Sequence, residues 1–380
     1  MTDTPDADVL WRRVFELAES GRYSTSPNPR VGALIVDDAG RILGEGFHER
    51  AGGAHAEVVA LNAAGEAARG ATVLVNLEPC AHYGRTAPCT EALLAAGVRK
   101  VICSIEDLDP RTPGRGIRRL IEHGVEVDVG AHAAEARRLN EMFLVSVEKR
   151  RPFVHLKWGA SLDGKTATRG GASKWITGED ARADAMRLRE ECDTILVGAA
   201  TIQADDPLLT RRMGLNRSIV PHRRLVLDGA LRVSPFARVF TEGGPGEAVL
   251  ITAVPAGDAR LDAFRRRGVR VESLPAEPAA PGRKSSSTVD LGKLLALLHG
   301  LEARSLLVEG GGRTAWSFLA AGVVDRVTAY VAPLLIGGAS APSPLSGDGF
   351  PVLQEAVRLS PLEVSTVGAD VKLTARILRE

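Results

Sequence analysis

Four cysteines in 380 residues are too few and too scattered for a disulfide framework. No apolar run approaches the roughly 20 residues that a membrane-spanning helix needs. The opening Met1-Thr2-Asp3-Thr4-Pro5-Asp6 is acidic and lacks an apolar core, which excludes a secretory signal. Charge of one sign is missing as well. A formal net charge of +1 gives no long-range attraction for nucleic acid. No internal repeat is present. The expectation is a cytoplasmic protein with no nucleic-acid or membrane partner, whose length calls for two domains. Cys103 and Cys192 lie in or beside strand-like runs and read as buried free thiols.

What is present concentrates between His55 and Cys89. His55-Ala56-Glu57, Pro79-Cys80 and Pro88-Cys89 offer one imidazole, two thiolates and one carboxylate. One His and two Cys are a catalytic zinc set, because three protein ligands leave a fourth tetrahedral position open. Zinc lowers the pKa of a water bound there to about 7, and Glu57 is placed to move its proton. H-x-E followed by P-C-x-x-C is the zinc-deaminase signature, although eight residues separate Cys80 from Cys89. Two nearby cysteines are often inert core residues. Their positions at a strand end and a helix start argue for convergence instead. A closed structural site would want a fourth donor, and His82 is the only nearby rival.

The expected order of elements follows from periodicity and breakers. The sequence predicts a helix over Val9–Glu19, a rigid Ser26-Pro27-Asn28-Pro29-Arg30 loop and a strand over Val31–Val36. A hairpin turn follows at Asp37–Gly40, then a helix over Ala56–Ala68, a strand over Ala71–Asn76 and a helix over Cys89–Ala96 stopped by Gly97. Strands over Val101–Ile105 and Val125–Val129 flank a helix near Ile117–His123. This alternation predicts an α/β fold with a largely parallel sheet and helices on both faces. Near Arg150-Arg151-Pro152 the pattern restarts, so the domains are expected at 1–150 and 151–380. In the second, core strands are expected at Val154–Trp158, Thr194–Gly198, Leu225–Asp228, Val249–Thr252 and Leu306–Glu309. Pro275–Thr288, rich in Pro, Ala and Ser, reads as a mobile surface loop.

After Leu306–Glu309 the chain runs Gly310-Gly311-Gly312-Arg313 into a helix from Thr314. Glycines allow close approach of backbone to a ligand, and a helix N-terminus favours phosphate. Small residues also follow other expected strands, at Gly159-Ala160-Ser161 and Gly198-Ala199-Ala200-Thr201. Strand ends are where an open α/β sheet binds ligands. Asp205-Asp206-Pro207 and Arg211-Arg212 add paired carboxylates and cations.

In sum these residues resemble the bifunctional deaminase/reductase family of riboflavin biosynthesis, over nearly the whole chain. The resemblance rests on Pro27-Asn28-Pro29-Arg30-Val31-Gly32, Gly44–His48, His55-Ala56-Glu57 and Leu77–Cys89. In the second half it rests on Lys157–Thr166, Lys174–Thr177, Ala204–Thr210 and Val308–Gly311. It implies a cytidine-deaminase-like α/β/α domain followed by a dihydrofolate-reductase-like α/β domain, with Zn2+ and NADPH as cofactors. It also implies two steps. The ring amino group of 2,5-diamino-6-(5-phosphoribosylamino)pyrimidin-4-one is hydrolysed, and the ribosyl group of the product is then reduced to ribityl.

By the same resemblance His55, Cys80 and Cys89 hold zinc, Glu57 is the catalytic proton carrier, and Asn28, His48 and His82 meet the pyrimidine. Ala160, Trp175, Thr201, Asp205 and the run Gly311, Gly312, Arg313, Thr314, Ala315, Trp316 and Ser317 would meet NADPH. Lys157, Ser173, Arg189, Leu209, Arg212 and Glu309 would meet the reductase substrate, with the arginines on its phosphate. Lys157 and Asp205 are candidates for polarising the sugar. The family is typically multimeric, which implies a homo-oligomer. Two positions depart from the family pattern. Ala87 stands where a second proline is common, and Gly229 where Ser or Thr could bond the cofactor. The rivals are a zinc deaminase acting on nucleic-acid bases with an accessory domain, and a zinc-stabilised binding protein without catalysis.

Overall fold

The computed structural model describes residues 7–84, 87–108, 113–244, 246–276 and 288–379. The chain divides into two compact units. One holds Met1–Arg150 and Leu215–Val220, the other Arg151–Gly214 and Pro221–Glu380. The six-residue return is tied by hydrogen bonds from Arg217 N to Tyr23 O (2.7 Å) and from Ser218 Oγ to Ser26 O (2.9 Å). Among the described residues no helix is long and apolar enough to cross a membrane.

The first unit runs α1 (Ala7–Glu19), β1 (Gly32–Val36), β2 (Ile42–Phe47), α2 (Ala56–Ala64), β3 (Thr72–Val75), α3 (Cys89–Ala96), β4 (Lys100–Cys103), α4 (Arg115–Glu122), β5 (Glu126–Val129), α5 (Ala133–Leu139) and α6 (Glu141–Lys149). Its sheet has the order β2-β1-β3-β4-β5. Strands β3, β4 and β5 are parallel, but β1 is antiparallel to both neighbours. The expected parallel sheet is therefore mixed at one edge. The Asp37–Gly40 turn is too short for a crossover, so β2 must return antiparallel.

Side chains alternate across this sheet. Ala33, Ile35, Val73 and Val75 pack under α2, α3 and α4. Leu34, Val36 and Leu74 pack against α1, α5 and α6. Glycine sets the closeness of α2. A Cβ on Gly46 would lie 2.6 Å from Ala56 O and Ala60 N, and one on Gly44 would lie 2.3 Å from Ala60 O. These two positions share one strand face. They let the helix that begins just after His55 lie directly on β2.

The second unit contains β6 (Phe153–Ser161), α7 (Glu179–Glu191), β7 (Thr194–Gly198), α8 (Ala199–Asp205), β8 (Arg223–Leu227), α9 (Arg238–Thr241), β9 (Glu247–Thr252), α10 (Asp262–Arg265) and β10 (Arg270–Ser273). It continues with α11 (Leu291–Gly300), β11 (Ser305–Glu309), α12 (Gly312–Ala320), β12 (Arg326–Ala332), β13 (Glu363–Val367) and β14 (Asp370–Arg376). The nine-stranded sheet has the order β10-β9-β8-β7-β11-β6-β12-β14-β13. It is parallel from β10 to β12, and β14 and β13 add an antiparallel edge. Leu291, Leu294, Leu295 and Leu298 of α11 and Phe318 of α12 bury one face with Val154, Leu156, Leu306 and Val308. Asp290 caps α11 by accepting from Lys293 N. The segment expected as a mobile loop lies mostly outside the described residues, at 277–287.

Because nothing on α2 can yield around a new methyl group, Gly46→Ala is expected to destabilise the first unit by about 1–3 kcal/mol, the range for overpacking. Thermal unfolding of the two proteins side by side measures it.

Candidate active sites

Three chain segments deliver the first site. His55 is the residue immediately before α2, with extended backbone. Cys80 follows the end of β3, and Cys89 is the first residue of α3. One ligand atom from each lies within 4.8 Å of the others. His55 Nδ1 is 3.1 Å from Cys89 Sγ and 3.6 Å from Cys80 Sγ. Nitrogen and sulfur donors on one tetrahedral zinc stand roughly 3.5 Å apart, given bonds near 2.0–2.1 and 2.3 Å. The spacing and the chemistry of the donors fit that ion. No fourth His, Cys, Asp or Glu joins the group among the described residues, and His82, the rival donor, stands outside it.

The pocket is organised to hold these groups. Cys80 is fixed through its carbonyl, which accepts from Thr90 N and Thr90 Oγ1, both at 3.2 Å. Its sulfur accepts from Cys89 N (3.4 Å). The bond between the two thiols lowers Cys80 below its ordinary value and, with burial, raises Cys89 above its own. Glu57 is only 3% exposed, and burial raises its carboxyl to about 6 against the lowering pull of His55.

Asn28 and His48 form a pair. Ala54 O, 3.0 Å from His48 Nδ1, can only accept, so the imidazole proton sits on Nδ1. His48 Nε2 then accepts from Asn28 Nδ2 at 3.0 Å. The His48 ring also stacks edge-on against His55, with centroids 5.2 Å apart. Both His48 nitrogens are thus engaged, and the ring packs between Asn28 and His55. The sequence reading missed Asn76 and Asn140, whose amides bracket the loop before β1. Both donate to Arg30 O, and Asn140 Oδ1 accepts from Arg30 N.

In the second unit the expected residues fall into clusters along strand ends. Glu309 and Lys157 are register partners on neighbouring β11 and β6. Arg189 of α7 forks onto Glu309, with Nη2 at 2.6 Å and Nε at 3.0 Å. Burial alone would push the Glu309 carboxyl up, but the Arg189 and Lys157 cations outweigh it and hold it at about 2. Burial also lowers the Lys157 ammonium. The Arg189 guanidinium is therefore bonded to a carboxylate and to Thr210 O. Arg211 is likewise committed to the carbonyls of Arg189 and Cys192. Arg212, by contrast, is exposed and makes one bond to Thr210 Oγ1.

A second cluster joins β7 and β11. Cβ atoms on Gly310 and Gly311 would sit 3.4 and 3.1 Å from Thr201 Oγ1, and one on Gly198 would strike Thr314 Oγ1. Bare backbone is required there. Ser173 Oγ donates to Asp205 Oδ1 at 3.4 Å. Trp175 is 71% exposed, with Arg182 stacked 4.3 Å over its ring. Leu209, fully buried, holds a left-handed φ of 56° and offers its carbonyl to His222 Nε2. Ala160 and Ala315 are buried. Ala315 belongs to the core packing, so the expected cofactor contact there is revised to backbone. Ser317 Oγ bonds back to Thr314 O, and Trp316 packs against Phe350.

Residues 6–105 match the cytidine and deoxycytidylate deaminase zinc-binding region, and residues 152–373 match the RibD C-terminal domain. The chain is 41% identical over 361 residues to riboflavin biosynthesis protein RibD of Bacillus amyloliquefaciens, covering 95% of this chain and 94% of that protein. To RibD of Escherichia coli (strain K12) it is 40% identical over 371 residues, covering 95% and 96%. The chain belongs to the RibD family. Solved structures of family members agree. Acinetobacter baumannii RibD, form 1, superposes with a TM-score of 0.83 at 36% identity, covering 97% of this chain and 98% of that one. The Thermotoga maritima diaminohydroxyphosphoribosylaminopyrimidine deaminase/5-amino-6-(5-phosphoribosylamino)uracil reductase gives 0.79 at 31% identity, covering 98% of each. Membership of the RibD family makes this chain a bifunctional enzyme of riboflavin biosynthesis, with a zinc-binding deaminase domain and a reductase domain.

The buried ion pair predicts its own test. Glu309→Ala leaves Arg189 and Lys157 uncompensated and is expected to cost about 3–5 kcal/mol in denaturant unfolding. Because the folded carboxyl is held below its ordinary 4.5, its contribution is complete above that pH. It is lost as pH falls toward 2, a dependence the variant lacks.

Proposed function

We propose that the first unit hydrolyses the ring amino group of 2,5-diamino-6-(5-phosphoribosylamino)pyrimidin-4-one, and that the second reduces the ribosyl group of the resulting aminouracil to ribityl with NADPH. The observation that carries the first half is the convergence of His55 Nδ1, Cys80 Sγ and Cys89 Sγ within 4.8 Å beside a buried carboxyl. When bound by those three residues, zinc supplies a water of lowered pKa and a Lewis acid.

Everything else falls to the chain. In the hydrolysis one water and one ring amine become one carbonyl and ammonia. Glu57 takes one proton from the water and passes it to the ring nitrogen. It then takes the second from the hydroxyl left on the ring carbon and passes it to the departing amine, which leaves as ammonia. Burial raises the Glu57 carboxyl above its ordinary value, which makes it the stronger proton acceptor. Asn28, its amide nitrogen committed to His48, turns its oxygen to the pyrimidine as an acceptor. By the family resemblance His82 would meet the same pyrimidine.

In the second unit Thr201, Asp205, Trp175 and the Gly311–Ser317 turn would seat NADPH, which supplies the hydride. Lys157 lies beside the Glu309–Arg189 pair and polarises the opened sugar, with Asp205 as the other candidate. Arg212 is the cation left for the substrate phosphate. The substrates are small molecules. The same reading makes the enzyme a cytoplasmic homo-oligomer with no nucleic-acid or membrane partner.

Glu57→Gln keeps the shape and removes the proton carrier. Ammonia release is expected to fall by at least about 100-fold while zinc content by metal analysis stays at the wild-type level. Unchanged turnover would refute the assignment. The order of steps has a separate test. NADPH oxidation, followed by absorbance, is expected only when the deaminated intermediate is supplied. Oxidation by Glu57→Gln with the amino-bearing precursor would contradict it.

A further inference from the structure

Glu78 is a buried carboxylate two residues before Cys80, and the deamination chemistry gives it no task. It is 3% exposed. Its main chain continues from β3 with a hydrogen bond from Glu78 N to Ile105 O (2.9 Å). Its side chain accepts four backbone hydrogen bonds. Oε2 takes Asp107 N (3.0 Å) and Gly114 N (3.1 Å), and Oε1 takes Gly116 N (2.8 Å) and Ile117 N (3.3 Å). Gly116 and Ile117 lie in the first turn of α4, whose N-cap residue Gly114 offers no side chain. Their amides are donors that no helical carbonyl can satisfy. Glu78 therefore caps α4 from another part of the chain.

The clasp reaches the presumed ligand through one residue. Pro79 is buried, and a Cβ on Gly116 would fall 1.9 Å from Pro79 O. Backbone of α4 thus rests directly on the peptide that leads into Cys80, and no residue other than glycine fits at 116. On the far side Cys80 O is held by Thr90 at the start of α3. The Cys80 main chain is gripped between α3 and α4, and Glu78 closes the α4 side.

We propose that Glu78 is a positioning residue for the deaminase site: by binding the start of α4 it fixes Pro79 and so sets where the Cys80 sulfur stands. This rests on the reading of Cys80 as a zinc ligand. Groups that orient metal ligands typically contribute about 10–100-fold to metal affinity or activity. Neutral Gln at this position would keep the volume but turn an NH2 toward two backbone N–H donors.

The test uses the full chain. Zinc affinity is measured by chelator competition, and the cobalt-substituted protein is followed by its thiolate-to-cobalt absorption. NADPH oxidation with supplied deaminated intermediate serves as the internal control for the other unit. For Glu78→Gln the expected result is at least about a tenfold loss of zinc affinity and a shifted cobalt spectrum, with reductase turnover unchanged. Gly116→Ala, whose methyl group would push directly on Pro79 O, is expected to shift the same spectrum. Affinity and spectrum within twofold of wild type in both variants would overturn the proposal, as would loss of both activities together, which would mark Glu78 as a general folding residue. Failure of the wild-type protein to bind zinc would instead overturn the metal reading beneath it.

Discussion

Three ligand atoms from three elements have to meet in one place, and none of the three elements makes that happen alone. His55 is brought by the helix that lies flat on β2, Cys80 by the end of β3, and Cys89 by the first turn of α3. Sulfur and imidazole donors 3.1–3.6 Å apart tolerate little drift, because a ligand displaced by an ångström no longer reaches the same ion. The surrounding contacts are correspondingly hard. Gly44 and Gly46 leave no slack between α2 and its strand. Thr90 ties α3 to the Cys80 carbonyl, and the His48 ring stands edge-on against His55.

The second unit solves a different problem. Its site is spread over the ends of parallel strands, where backbone alone lines much of the surface and the Thr201, Gly311 and Thr314 positions interlock without larger side chains. Charge there is fixed inside the sheet. Arg189, Lys157 and Glu309 form a compensated group whose members could not be buried singly. Arg211 and Arg189 are largely engaged by carbonyls and by Glu309. At Gly229, where a hydroxyl side chain is absent, the turn does not depend on that residue. Asp228, fully buried, accepts from Arg232 N and Val233 N and shapes it.

Much of this was legible because hydrophobic period and ligand identity are local. The helix starting at Cys89, the strand at Thr194–Gly198 and the His55, Cys80, Cys89 set are written in consecutive residues. What was not legible is long-range. The antiparallel pairing of β1 with β3 depends on strand order, and β12, β13 and β14 form a sheet edge whose strands gain meaning only from their pairing. Asn76 and Asn140 look like ordinary polar residues until Arg30 is placed between them. Glu78 resembles the rest of a cysteine motif until its four amide partners, 29 to 39 residues away, are in view. The bonds that His48 and Arg189 make inside the fold were not legible either, because residue type shows what a side chain can bind and only packing shows what it has bound.

Two buried carboxyls make the point in energetic terms. Glu57 and Glu309 are both removed from water, which by itself favours the protonated form of each. Near Glu57 the one cationic influence is His55, too weak to offset burial, and the carboxyl rises to about 6. Near Glu309 a forked guanidinium and an ammonium outweigh burial, and the carboxyl falls to about 2. The first can exchange a proton at neutral pH, while the second is a permanent anion across that range. Burial is common to both, so the neighbours decide which carboxyl carries protons and which anchors cations. The deaminase unit needs the former beside its metal ligands. The reductase unit holds the latter beside Lys157, which buried without Glu309 would be driven toward its neutral form.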